Sequence, residues 1–321
     1  MNNDHIGDRY DHPMRHRTAD AVGLAAGTLT DAVFADPQRG HPVALFGRGV
    51  ATSQESFYRD DRARGAMFAG WWIGVGILSG VLARRLGPAG TAAAAFSALG
   101  GTSLCRIGDE IADALDSGDV DGARALVAGL VGRDTTQLDE AGICRAAVES
   151  IAENTSDAAV APLFWGAVAG APGLLGYRAA NTLDAMVGYR SDKYLQFGWA
   201  SARLDDIANY APARATALLV GALSGRPREV WTAVRRDAGL HPSPNAGVVE
   251  AAFAGALRIG LGGQTVYAHG VEERPRLGDG PAPLAADLRS AVTLSRHVQR
   301  ATALAAVAAR TMTGERRRHL P

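Results

Sequence analysis

ESIAENTSD, residues 149–157, sets three carboxylates and an asparagine at the mouth of a chargeless run. On a helix of 3.6 residues per turn, Glu149, Glu153 and Asp157 fall within roughly 80° of one another, and Arg145 joins their face one turn earlier. Three like charges on one face repel, and a divalent cation is the natural compensation. Magnesium prefers hard oxygen ligands, one or two carboxylates completed by substrate phosphates. Glu153 and Asp157 are therefore candidate metal ligands, Glu149 a candidate catalytic carboxylate and Asn154 a candidate polar contact to a cofactor. The competing reading is a helix cap, with Asp157 or Ser156 starting a helix whose first turn holds Pro162. Capping accounts for Asp157 but not for Glu149 and Glu153 together.

Two further clusters have the same character. In NTLDAMVGYRSDKY (181–194), Asp184 closes a semi-apolar helix, Gly188 permits the turn, and Arg190, Asp192 and Lys193 form a charged loop. Asp184 and Arg190 are the candidate catalytic groups there; for Asp192 and Lys193 a solvated loop explains as much. In ARLDDIANYAPAR (202–214), Asp205 and Asn209 stand one helical turn apart beside Asp206, bracketed by Arg203 and Arg214. Acids plus an amide suit a metal, and the arginines suit phosphate oxygens. Alone, a DDxxN pattern usually marks a solvated helix end. HPSPNAG (241–247) is a rigid turn offering Ser243 and Asn245 to a polar ligand, although its prolines and glycine need only the turn. GLGG (260–263) allows close backbone approach, and His41 is a lone histidine, a type more often structural.

Composition removes several classes of function. The chain has 321 residues and a formal net charge of +0, which gives no basic surface for nucleic acid. Lys193 is the only lysine, so no P-loop Gly-Lys-[Ser/Thr] exists. Two cysteines, Cys105 and Cys144, make no disulfide framework.

The elements that must position the acids are helical and strongly segregated. Residues 66–83, 86–105 and 158–177 carry no charge and are rich in Ala and Gly. A bilayer span needs ~20 mostly apolar residues, and small residues favour close packing of membrane helices. Weaker runs at 21–37, at 215–225 and near the end bring the expectation to an all-α, polytopic membrane protein with about four or five spans. Residues 1–19 read as a polar, disordered arm and 20–321 as a single helical membrane domain. Its extramembrane segments lie near 106–148, an amphipathic helical hairpin, and 226–290. No strand alternation is sustained.

Six motifs in order give these residues a wider setting: DPQRGHPV (36–43), GRDTTQLDEA (132–141), ESIAENTSDAAVAPLFW (149–165), NTLDAMVGYRSDKY (181–194), ARLDDIANYAPAR (202–214) and HPSPNAGVVEAAFAGALRIGLGG (241–263). With them the sequence resembles the CobD/CbiB family of cobalamin biosynthesis, adenosylcobinamide-phosphate synthases, over nearly all of 20–270. It departs in a longer polar arm, in Ala158 where glycine is commoner, and in a weak final apolar stretch. The resemblance implies an integral plasma-membrane enzyme joining adenosylcobyric acid, a corrinoid, to aminopropanol or its phosphate by an amide bond, with ATP consumed. That chemistry suits the acids and arginines. Glu153, Asp157, Asp205, Asp206 and Asn209 would share magnesium, Arg190, Arg203 and Arg214 would hold phosphates, and Asp184 would accept the amine proton. A magnesium-dependent intramembrane prenyltransferase would call for a second Asp-rich motif, and a transporter for ionisable groups inside its spans.

Overall fold

A computed structural model describes residues 7–35, 41–132, 134–189, 191–267 and 270–315, with side chains outside 7–16, 264–272 and 313–315. In chain order the helices are α1 (Gly7–Phe34), α2 (Pro42–Phe57), α3 (Arg62–Arg85), α4 (Gly87–Ala98), α5 (Gly101–Asp116), α6 (Val120–Ala128) and α7 (Glu140–Thr155). A π-helical turn (Ser156–Val160) leads into α8 (Ala161–Ala169) and α9 (Ala171–Val187). Then come α10 (Trp199–Leu223), α11 (Pro227–Asp237), α12 (Ala246–Leu257), the strands β1 (Leu261–Tyr267) and β2 (Gly270–Leu277), and α13 (Ala285–Glu315). The expected predominance of helix holds. The hairpin is an addition, and α1 begins at Gly7, inside the segment expected to be a disordered arm.

The chain divides into two compact units, residues 1–100, 161–208 and 302–321 in one and 101–160 and 209–301 in the other. In the first, α1 packs on α4 and α3 on α9 through small residues. A Cβ on Gly76 would stand 2.7 Å from the Leu175 carbonyl oxygen, and one on Gly80 2.4 Å from that of Ala171. This four-residue spacing lets two backbones touch, as in closely packed membrane helices. Phe57, Phe68 and Phe197 stack into a separate aromatic core. Asp20 is fully buried among the helices. It accepts from Thr91 Oγ1 (3.2 Å) and pairs with Arg84 (2.8 Å) and Arg310 (3.1 Å). A buried charge is tolerable only when paired in this way.

The apolar runs do not all become long helices. Among the described residues, Arg62–Arg85 alone is long and apolar enough to cross a membrane. The run 86–105 is divided between α4 and α5. The run 158–177 is divided at Gly170, whose φ of 71° ends α8 before Pro172 restarts the helix, while the π turn joins α7 to α8 without a break. The π turn also removes the competing reading of an N-cap at Ser156 or Asp157, because the helix continues through both. A string of apolar residues sets burial, whereas a 20-residue span also needs an unbroken helix.

The second unit contains both segments expected to lie outside the bilayer. Around α7 and α12, which are buried almost throughout, it packs Ile111, Ile143, Ile151, Phe253 and Leu288. The hairpin pairs antiparallel, Gly263 opposite Arg274, with an irregularity between Leu261 and Gly263. Pro275 sits at that irregularity, where a missing N–H breaks no ladder bond.

Candidate functional site

A cavity of about 470 Å³ opens in the second unit, walled by Glu149, Ser150 and Glu153 of α7, Glu250 of α12, Glu273 and Arg274 of β2, and the loop 130–132. Each wall is fixed by a local device. Asp139 caps α7 by accepting from the Gly142 N–H at 2.8 Å, and Ser150 Oγ donates to the Leu130 carbonyl at 3.3 Å. Ser243 Oγ accepts from the N–H groups of Asn245 (3.3 Å) and Ala246 (3.2 Å), closing the orphan donors that start α12. Arg214 braces the same turn. It donates to Asn245 Oδ1 at 2.7 Å and the Pro244 carbonyl at 3.0 Å while lying over the Tyr210 ring.

At the cavity floor stands a charged network. The Glu149 side chain is 4% exposed, and its Oε1 accepts from the Gly262 N–H at 2.8 Å. Arg274 lies 3.6 Å from Glu149 Oε2 and 3.5 Å from Glu250 Oε1, bridging two buried carboxylates. Its guanidinium also meets His241 Nε2. A guanidinium only donates, so Nε2 offers its lone pair to it, while Nδ1 lies 3.0 Å from the Ser243 N–H and 3.3 Å from the Ser243 carbonyl oxygen. Burial first, and then the Arg274 charge, push His241 down to about 4. His241 is therefore neutral near pH 7, and its 3.7 Å approach to Glu250 is not an ion pair. Four glutamates and one arginine line the cavity, with Glu153 and Glu273 exposed at the rim. Such a cavity attracts cations and repels bare phosphates.

A family model described as CobD/Cbib protein matches residues 24–295. The chain belongs to the CobD/CbiB family. Among its relatives, the "Cobalamin biosynthesis protein CobD" of Mycobacterium tuberculosis (strain CDC 1551 / Oshkosh) is 57% identical over 296 residues, covering 89% of this chain and 95% of the relative. Proteins of the same name from Rhodobacter capsulatus (42% identical; 86% and 90% covered) and Stutzerimonas stutzeri (44%; 85% and 92%) also align along most of their length. No solved structure matches the chain.

In this CobD/CbiB chain, ESIAENTSD and HPSPNAGVVE meet at the cavity. Glu149 is in its floor and Glu153 at its rim, but Asp157, in the π turn, does not line it. Asn154 donates to the Ser150 carbonyl at 3.0 Å. Arg214, Ser243 and Asn245 are engaged within the turn that carries His241. Asn209 is buried in the same unit. Asp205, Asp206, Arg203 and Asp184 belong to the other unit, where Asn181 donates to Asp205 at 3.3 Å and Arg203 lies 3.8 Å from Asp206. Asp184 is half-buried in the last turn of α9, and Arg190 lies outside the described residues. Among the described residues no three His, Cys, Asp or Glu side chains are grouped to hold a metal ion.

Three members of the floor escaped the sequence reading: His241, Glu250 and Arg274. Glu250 had left a signal, since it is the lone charge in AGVVEAAFAGAL, a helix otherwise fit only for burial.

Proposed function

We propose that this chain works in cobalamin biosynthesis as a multi-pass membrane enzyme that joins adenosylcobyric acid to aminopropanol, or its phosphate, with ATP consumed. The observation that carries the reading is the meeting of two family motifs in one cavity, where carboxylates outnumber the single guanidinium. A carboxylate does not form an amide near neutral pH, because oxide is a poor leaving group. Transfer of the ATP γ-phosphoryl group to the corrinoid carboxylate gives an acyl phosphate and ADP. Attack by the amine nitrogen forms the C–N bond, breaks the C–O bond to phosphate, and releases inorganic phosphate and a proton.

A cavity lined mainly by carboxylates suits the cationic amine and a magnesium ion carried by a polyphosphate, and its size suits them better than a corrin ring. Glu153 and Glu273 are the exposed carboxylates of the rim, and magnesium held there would neutralise phosphate charge during the transfer. Glu149 fits that role poorly, since the Gly262 N–H and Arg274 already occupy its two oxygens. Asp184, Asp205 and Asp206 remain candidates for proton transfer and metal binding in the other unit.

The test is an assay of membranes containing the chain, supplied with adenosylcobyric acid, magnesium ATP and either aminopropanol or its phosphate. The expected result is the amide by mass spectrometry with one of the amines, and none without ATP. Absence of amide product with both amines overturns the reading.

A further inference from the structure

The amide-forming reading assigns no task to His241, yet its imidazole is enclosed, with the side chain 5% exposed. Its Nε2 meets the guanidinium of Arg274, and its Nδ1 is tied to the backbone of Ser243 in a turn made rigid by Pro242 and Pro244. Arg274 is on β2, opposite Gly263, in a two-stranded hairpin that has little core of its own. A long arginine there has many rotamers, and freezing one costs entropy unless a partner fixes it.

We propose that His241 is a positioning residue whose unprotonated Nε2 holds the Arg274 guanidinium between Glu149 and Glu250, keeping a counter-charge on the buried Glu250 carboxylate in the cavity. The charged groups facing the imidazole come from three elements, Glu149 from α7, Glu250 from α12 and Arg274 from β2. A second proton on the ring would point Nε2–H at a cation, which agrees with the depressed basicity of His241. A neutral acceptor is thus available across the whole physiological range. Without it Arg274 would hold its positive charge less closely against Glu250, and that acid would hold its proton to higher pH.

The test compares full-length wild type, His241→Leu, His241→Gln and Arg274→Met in membranes. Gln returns a neutral acceptor near the Nε2 position and cannot titrate. Two readouts are taken, the pH profile of amide formation and hydrogen exchange at the Gly262 amide. The activity arm rests on the proposed reaction, and the exchange arm does not. Leu and Met should lower kcat about tenfold and move the acid limb up by about one pH unit, while Gln should stay within about threefold with its limb unmoved. A wild-type acid limb in both Leu and Met, or Gln as impaired as Leu, overturns the proposal. Should His241→Leu fail to fold, the limb of Arg274→Met decides. Should wild type itself form no amide, the functional reading falls and exchange decides alone. Faster exchange in Leu and Met but not Gln supports the positioning role, and any other pattern overturns it.

Discussion

The backbone N–H of Gly262 donates to Oε1 of Glu149 at 2.8 Å, joining groups 113 residues apart. That bond makes Glu149 an anchor for the hairpin as well as a wall of the cavity. Removing the carboxylate leaves the Gly262 N–H without its acceptor and takes a counter-charge from Arg274. Breaking a buried pair from one side costs on the order of 3–5 kcal/mol. Glu149→Ala is therefore expected to lose several kcal/mol in urea unfolding, and Glu149→Gln, which keeps an acceptor, distinctly less. Equal small losses would contradict the anchor.

Gly262 itself admits no side chain. Its φ is 77°, and a Cβ would stand 2.0 Å from the Pro275 carbonyl oxygen. The left-handed backbone alone costs roughly 1–2 kcal/mol for another residue, and the overlap adds to it. Gly262→Ala should lower the thermal midpoint by several degrees and expose β1 and β2 to hydrogen exchange. Gly239→Ala serves as the control, because nothing lies within 4 Å of a Cβ there.

The neutral state of His241 makes a directional claim about pH. Its value is about 4 in the folded chain against 6.5 when exposed, so between them the unfolded chain binds the extra proton. Stability then falls as pH drops from 6.5 toward 4 and is flat above 6.5 as far as this group is concerned. The full difference is on the order of 3 kcal/mol. Denaturant midpoints for wild type and His241→Gln should agree near pH 7 and separate as pH falls toward 4, where wild type alone loses stability and the slope is absent in Gln. Parallel curves would show that other groups cause the loss.

Magnesium at the rim gives a prediction about Glu153. An exposed carboxylate that lends one ligand should, on becoming an amide, weaken the metal rather than the fold. Glu153→Gln is expected to raise the magnesium concentration for half-maximal amide formation about tenfold and leave the unfolding midpoint unmoved. An unchanged magnesium response would remove Glu153 from the metal site.

How much of this was legible in the sequence depends on the kind of signal. Helical spacing and chargeless runs gave the predominance of helix, since burial follows from composition and period. The acids of ESIAENTSD were also visible, because like charges on one face demand a partner. Which partner was not visible. Arg274 reaches Glu149 from far along the chain, inside EERPRL, where Pro275 argues for a loop. Only the pairing of β2 with β1 turns that arginine inward, and no local pattern encodes the pairing. The helix breaks tell the opposite story. Gly170 followed by Pro172 was a readable stop inside the run 158–177, outweighed by its hydropathy. The π turn was unreadable, because it inserts a residue of slack without changing the residue types. The sequence-based common face of Glu149, Glu153 and Asp157 therefore ends at Thr155.

The side of α3 that faces away from the protein carries the last prediction. Met67 and Trp71 are 63% and 62% exposed, and Leu78 and Leu82 58% and 50%, while Phe68, Ala69, Gly76 and Gly80 are buried. For a helix in water this outward face would be a liability, since large exposed apolar patches drive association. In a bilayer the same face is at ease, and the arginine pair at the helix end suits the interface. The two environments predict opposite outcomes for Leu78→Arg. In water a new charge at an exposed position is nearly neutral, whereas near the middle of a span it costs on the order of 2.5–3.5 kcal/mol. Leu78→Arg should therefore cut the amount of chain integrated into alkali-washed membranes. Trp71→Leu, which keeps the face apolar, should leave that amount unchanged. Wild-type integration of Leu78→Arg would mean that α3 does not cross the bilayer, and the multi-pass reading would lose its strongest helix.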